Sequence, residues 1–141
     1  MNTPKKILVI GGGGYVGSAL VPKLLARGHY VRVLDTFWFG MNVFNDCAEQ
    51  YPNQLYLYRA DMRGKGVLEC SMADMDFADM NVADIDVVIH LACISNDPSF
   101  DLNPGLGRSI NHDAFLGLIE VLKKVRPKYF IFASTSSVYG I

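Results

Sequence analysis

The sequence predicts an α/β domain built on a doubly wound parallel sheet of about five strands. Three observations carry that expectation. Short apolar runs recur along the 141 residues, separated by segments long enough for helices. Several runs are apolar throughout rather than alternating, as in Ile7-Leu8-Val9-Ile10 and Val87-Val88-Ile89, which fits strands covered on both faces. The first run enters a turn of four glycines and leaves it as a helical pattern, the start of a right-handed βαβ crossover.

Each element follows from its own stretch of chain. Lys6 to Ile10 is the first strand, and Val16 to Arg27 the first helix, closed by Gly28. Pro22 falls inside that helix, where a proline costs about 3 kcal/mol. Tyr30 to Asp35 is the second strand and ends in a carboxylate. A weak helix is expected over Asn42 to Gln50, then a third strand over Gln54 to Arg59. Ile85 to Leu91 is the fourth strand. Ile110, Ala114, Phe115, Leu118, Ile119 and Leu122 recur at three- and four-residue steps and predict one long helix over Gly105 to Val125. Tyr129 to Ala133 is the fifth strand. Between Arg63 and Asp84 no period emerges. Its acidic residues Glu69, Asp74, Asp76, Asp79 and Asp84 lack calcium-loop spacing and read as a solvated excursion.

Composition narrows the function. Half of the residues are hydrophobic and 19% are charged, as in a globular domain, and one domain over residues 1–141 is the natural size. A net charge of −1 gives no electrostatic case for nucleic acid or for an anionic membrane. No apolar run approaches the roughly 20 residues of a membrane span, and the N-terminus does not read as a signal peptide. Cys47, Cys70 and Cys93 are odd in number and lack C-x-x-C spacing, so neither a disulfide framework nor a metal site is expected. The expected location is the cytoplasm.

The chemistry begins in the glycine turn. Gly11, Gly14 and Gly17 fall on G-x-x-G-x-x-G between a strand and a helix. There, backbone N–H groups can approach a pyrophosphate at the positive end of the helix dipole. A carboxylate follows at Asp35, near the distance of about 20 residues at which Rossmann-like folds hydrogen-bond an adenosine ribose. A carboxylate there repels a 2′-phosphate, and Thr36-Phe37-Trp38-Phe39 supplies no Arg or Lys to neutralise one. The expected ligand is therefore NAD rather than NADP.

Further motifs continue the pattern in order: Asp61-Met62, D-V-V-I-H-L-A-C from Asp86 to Cys93, Asn111, and S-T-S-S-V-Y-G from Ser134 to Gly140. Together they resemble the extended short-chain dehydrogenases/reductases, and within them the NAD-dependent sugar-nucleotide epimerases and dehydratases. One departure is Ile10, where that family usually has threonine. The resemblance implies that Gly11, Gly14, Tyr15 and Val16 cradle the pyrophosphate and that Asp35 binds the adenosine ribose. It implies that Asp61 accepts from the adenine amino group, with Met62 against the ring. Leu91, Ala92 and Cys93 would pass beneath the nicotinamide half, with Ser95 lining the same cleft. Thr135 would be the catalytic hydroxyl that hydrogen-bonds the reacting sugar oxygen.

Several of these residues also have purely structural readings. Met62 fits as core filler, Cys93 as a small buried residue, and His90 as a ring satisfied by a local hydrogen bond. Asn111 fits as a local backbone hydrogen-bonder, and the serine-threonine cluster as a simple turn.

The family's chemistry also needs a tyrosine acid/base with a lysine four residues later, whose charge lowers the tyrosine pKa. Four residues after six of the seven tyrosines no lysine stands, and for Tyr139 that position lies beyond Ile141. The expectation is thus the N-terminal portion of a longer enzyme, its sheet incomplete at the C-terminus. Such a chain would bind NAD without turnover, leave the nucleotide-sugar substrate to the complete protein, and expose a sheet face that favours homodimers or other association. Two alternatives stay open: a non-catalytic NAD-binding regulatory module, or part of a reductase of a non-sugar ketone.

Overall fold

Five strands run parallel in one sheet of order β3-β2-β1-β4-β5. They are β1 (Lys6–Ile10), β2 (Tyr30–Asp35), β3 (Leu55–Arg59), β4 (Val87–His90) and β5 (Tyr129–Phe132). The computed structural model describes residues 3–68, 71, 85–95 and 97–134. Glu69, Cys70, Asp74, Asp76, Asp79, Asp84, Thr135 and the rest of the S-T-S-S-V-Y-G motif after Ser134 lie outside them. Chain order reverses direction between β1 and β4, so a crevice opens there at the carboxyl ends of the strands, where doubly wound sheets bind ligands.

The centre of the sheet is covered on both faces, and β1, β2 and β4 contribute alternate residues to the two cores. Ile7 and Val9 of β1, Val31 and Val33 of β2, and Val87 and Ile89 of β4 pack with Val21 and Leu25 of α1 (Tyr15–Ala26). Phe44, which ends a 3-10 turn at Asn42–Phe44, and Cys47 of α2 (Asn45–Gln50) close the same cluster. On the other face Leu8, Ile10, Leu34 and Val88 meet Ala114, Leu118, Val121 and Leu122 of α5 (Ala114–Val125). Each such aliphatic side chain contributes about 1.5–3 kcal/mol when fully buried. This two-sided burial explains why the strands read as nearly continuous apolar runs. Arg32 of β2 is buried on the second face, where its Nη1 donates to the carbonyl of Ser71 at 2.5 Å.

All five expected strands are present, with ends shifted by two residues or fewer. The long helix is present too, but interrupted. Its run comprises α4 (Pro104–Arg108), a π turn (Ser109–Asp113) and α5. A short helix unforeseen in the sequence, α3 (Asp97–Leu102), precedes it. Asn103 then caps α4 by accepting the Leu106 N–H at 3.0 Å, with Pro104 in the first turn. Among the described residues, no helix is long and apolar enough to cross a membrane.

Candidate functional site: a cleft at the carboxyl ends of the strands

The glycine turn is built by close backbone approach. The Gly11 N–H donates to the Leu34 carbonyl at 2.8 Å, and the Leu91 N–H donates to the Ile10 carbonyl at 2.8 Å. These bonds lock the ends of β2, β1 and β4 side by side. Gly11 has φ +78°, and a Cβ there would collide with the backbone of Ala92. Gly17, in the first turns of α1, sits directly on the Gly12 backbone, where a Cβ would overlap the carbonyl. These two glycines set the distance between helix, turn and fourth strand.

Gly14 caps α1 in an extended conformation, with no side-chain cap and no acidic residue in the first turn. The N–H groups at this end therefore remain available to an anion. Tyr15 is 95% exposed at the same end, and Val16 is exposed beside it.

Asp35 ties the turn to the second strand. Its Oδ2 accepts the Gly13 N–H at 2.8 Å, and Oδ1 accepts the Phe37 N–H at 2.7 Å. An ionised carboxylate has about four lone-pair sites, so these bonds orient Asp35 and leave capacity for ribose hydroxyls. Asp61, beyond β3, is held by Arg63. The Arg63 guanidinium beside it keeps the Asp61 carboxyl below the usual carboxylate range. Met62 is buried in the second core and also lines the cleft.

The loop after β4 supplies the opposite wall. Cys93 is exposed rather than buried, which corrects the structural reading of it as a small buried residue. It follows the strand's end, where the chain has left the sheet for the cleft mouth. Desolvation of its sulfur raises the thiol pKa, so it stands as a thiol and not as a nucleophilic thiolate. Asn111 is a backbone hydrogen-bonder, but not a local one. Its Oδ1 accepts the Ile94 N–H at 2.8 Å and its Nδ2 donates to the Ile94 carbonyl at 2.9 Å, across 17 residues of chain.

His90 departs from expectation more sharply. It is buried against the paired rings of Phe115 and Phe132, and its Nδ1 has no hydrogen-bond partner among the described residues. Burial lowers its pKa to about 4.

A cleft of about 500 Å³ joins these parts. Gly11, Gly14, Tyr15, Val16, Asp35, Asp61, Met62, Leu91, Ala92, Cys93 and Ser95 all line it, so every expected cofactor-binding residue faces the same space. Thr135 lies outside the described residues, although Ala133 and Ser134 immediately before it reach the cleft. The sequence reasoning missed Trp38, Phe39, Ile94 and Ile110, which also line it. Two adjacent aromatics just after the carboxylate of β2 were the available signal for Trp38 and Phe39. Ile110 gave none, because its apolar character already fitted the buried stripe of a helix.

Comparison with known proteins gives the same frame. The family model described as "NAD dependent epimerase/dehydratase family" matches residues 7–141. UDP-glucuronic acid decarboxylase 4 of Arabidopsis thaliana is 31% identical over 140 residues, covering 96% of this chain and 27% of that protein. A solved UDP-N-acetylglucosamine 4-epimerase from Methanobrevibacter ruminantium, in complex with UDP-N-acetylmuramic acid, superposes with a TM-score of 0.77 at 30% identity. That match covers 99% of this chain and 40% of the epimerase. The Thermus thermophilus UDP-glucose 4-epimerase, solved in complex with NAD, matches at 30% identity and a TM-score of 0.72, covering 92% of this chain and 37% of its own. The chain thus spans between about a quarter and two-fifths of the length of these relatives. The glycine turn, the 3-2-1-4-5 parallel sheet and the match over residues 7–141 lead to one assignment: the chain belongs to the NAD-dependent epimerase/dehydratase family.

Proposed function

We propose that the cleft binds NAD and that the chain is the cofactor-binding part of a sugar-nucleotide epimerase or dehydratase. The observation that carries this reading is the convergence of the eleven expected cofactor residues on one cleft at the switch point of the sheet. The turn from Gly11 to Gly14 and the start of α1 hold the pyrophosphate, and the Asp35 carboxylate accepts from the adenosine ribose. Asp61 and Met62 receive the adenine, and Leu91 to Ser95 flank the nicotinamide half. The chemistry a bound nicotinamide supplies is reversible acceptance of a hydride from a sugar carbon, so that inversion or elimination proceeds through a transient ketone. Thr135 hydrogen-bonds the reacting sugar oxygen. A nucleotide-sugar is the substrate of the complete protein, and the cytoplasm is its location. Within these 141 residues no Tyr-x-x-x-Lys pair is available to move the sugar hydroxyl proton, so this chain binds NAD without turning over a nucleotide-sugar.

Titrating NAD and NADP against the chain by calorimetry tests the assignment. NAD should bind and NADP should bind far more weakly. Asp35→Asn should weaken NAD about tenfold or more, because hydrogen bonds to a charged group contribute roughly 1.5–3 kcal/mol, and should narrow the gap to NADP. Failure of the unmodified chain to bind either dinucleotide would overturn the reading, and so would epimerase activity of the chain alone in respect of turnover.

A further inference from the structure

Both walls of the cleft hang on the same π turn. Just past β3, Arg63 forks onto Asp61. Its Nε lies 3.0 Å from Oδ1 and 3.1 Å from Oδ2, its Nη2 lies 2.5 Å from Oδ2, and its backbone N–H donates to Oδ1 at 2.9 Å. The other arm of the guanidinium leaves this pair. Nη1 donates to Ser109 Oγ at 2.8 Å, 46 residues further along the chain. Ser109 opens the π turn. Two residues on, Asn111 holds Ile94 in the facing wall by both its N–H and its carbonyl. Between the two polar side chains, Ile110 lines the cleft itself. One turn therefore bonds to the Asp61 wall through residue 109 and to the Cys93–Ser95 wall through residue 111.

We propose that Arg63 and Ser109 are positioning residues for the dinucleotide, acting by tying the adenine wall to the turn that holds the nicotinamide wall. The inference rests on the reading that the cleft binds NAD with its adenine at Asp61. The physical reason lies in the geometry of the fork. Asp61 accepts several hydrogen bonds from one residue, so its rotamer is fixed and its charge countered before any ligand arrives. A ligand that uses Asp61 then loses little freedom in ordering it. The Ser109 bond adds something the fork alone does not. It fixes the distance between the two walls, and a dinucleotide spans both walls while a mononucleotide touches one. Residues two apart on a helical turn do not share a face, which lets Ser109 and Asn111 reach different walls.

Four variants separate this idea from a general loss of structure. Calorimetric titration of the chain with NAD and with AMP is expected to show that Ser109→Ala weakens NAD about three- to tenfold while AMP changes less than twofold. Those factors correspond to the freedom of one or two released side chains. Ser109→Thr keeps a hydroxyl and should restore NAD binding. Arg63→Gln loosens Asp61 itself and should weaken both ligands, and adding Ser109→Ala to it should cost little more. A second readout is the alkylation rate of Cys93 followed by peptide mass spectrometry. NAD at a fixed, subsaturating concentration should slow it in the unmodified chain and in Ser109→Thr, and distinctly less in Ser109→Ala. Equal protection in all three would overturn the positioning role. If Ser109→Ala binds NAD as the unmodified chain does, or if Ser109→Thr is as weak as Ser109→Ala, the positioning role is wrong while the NAD reading stands. Unchanged binding of both ligands by Arg63→Gln would have the same meaning. Absence of NAD binding in the unmodified chain would remove the reading and the inference together.

Discussion

At the scale of single residues, the most consequential group outside the hydrogen-bonded network is His90. It is 2% exposed, its ring centroid lies 5.7 Å from those of both Phe115 and Phe132, and its pKa is lowered to about 4 by burial. The ring is therefore neutral in the folded chain at pH 7. In the unfolded chain it takes up a proton below its ordinary value near 6.5. The unfolded state thus binds more protons between those two values, and stability falls as pH drops from about 6.5 towards 4, with nothing further from this group below that. The full contribution is at most about 3 kcal/mol. His90→Phe keeps a ring among rings and removes the titration. Urea unfolding at pH 7 and pH 4.5 should show a larger loss of stability in the unmodified chain than in His90→Phe. Parallel losses in the two proteins would refute it. The sequence placed His90 correctly at the end of a strand, but it could not show that Phe115 and Phe132 would lie against it, because those contacts join distant stretches. The same limit hid Arg63 and Ser109, whereas the Gly11 turn and Asp35 stood out by their spacing after the first strand, and Asp61 by the family resemblance.

At the scale of elements, strands were easier to read than helix interiors. An apolar run buried on both faces leaves a plain mark, as in Lys6–Ile10 and Val87–His90. A π turn leaves none. Ile110, Ala114 and Leu118 keep four-residue steps straight through it, so the pattern reads as an unbroken helix. The short helix α3 has no apolar period in Asp97–Leu102, and only the Asn103-Pro104 pair after it announced a new start. Pro22 is the reverse case, a clear breaker that the fold overrides. It lies inside α1, whose Val21 and Leu25 are buried against the sheet on either side of it. Tertiary packing thus holds the helix although proline supplies no N–H to bond the preceding turn. Pro22→Ala should restore that bond and relieve the ring clash, raising stability by about 1–3 kcal/mol. Equilibrium denaturation would measure it, and an unchanged or lower midpoint would mean that the helix has already adapted its geometry around the proline.

At the scale of the whole molecule, the sheet is dressed unevenly. Its centre is closed by α1 and α2 on one face and by α5 on the other, while every residue of β5 is exposed. The register explains which side is open. Tyr129 and Ile131 pair with Val87 and Ile89, so they point to the face that α1 covers over β1 and β2. There Tyr129 is 59% exposed and Ile131 50% exposed. Phe130 and Phe132 point to the other face, where Phe115 lies against both yet leaves them partly exposed. The apolar run from Tyr129 to Ala133 foretold this strand but not its bareness, since such a run looks the same whether a helix covers it or not. A contiguous apolar strip on an edge strand favours pairing with another surface. Light scattering across a concentration series should therefore give an apparent mass that rises above the 15.6 kDa of one chain. Ile131→Lys places a charge at the middle of the strip, on an edge where lysine opposes pairing, and should flatten that rise. A titration with NAD would check that the variant remains folded. If the unmodified chain stays at the mass of one copy at every concentration, the bare face does not drive association.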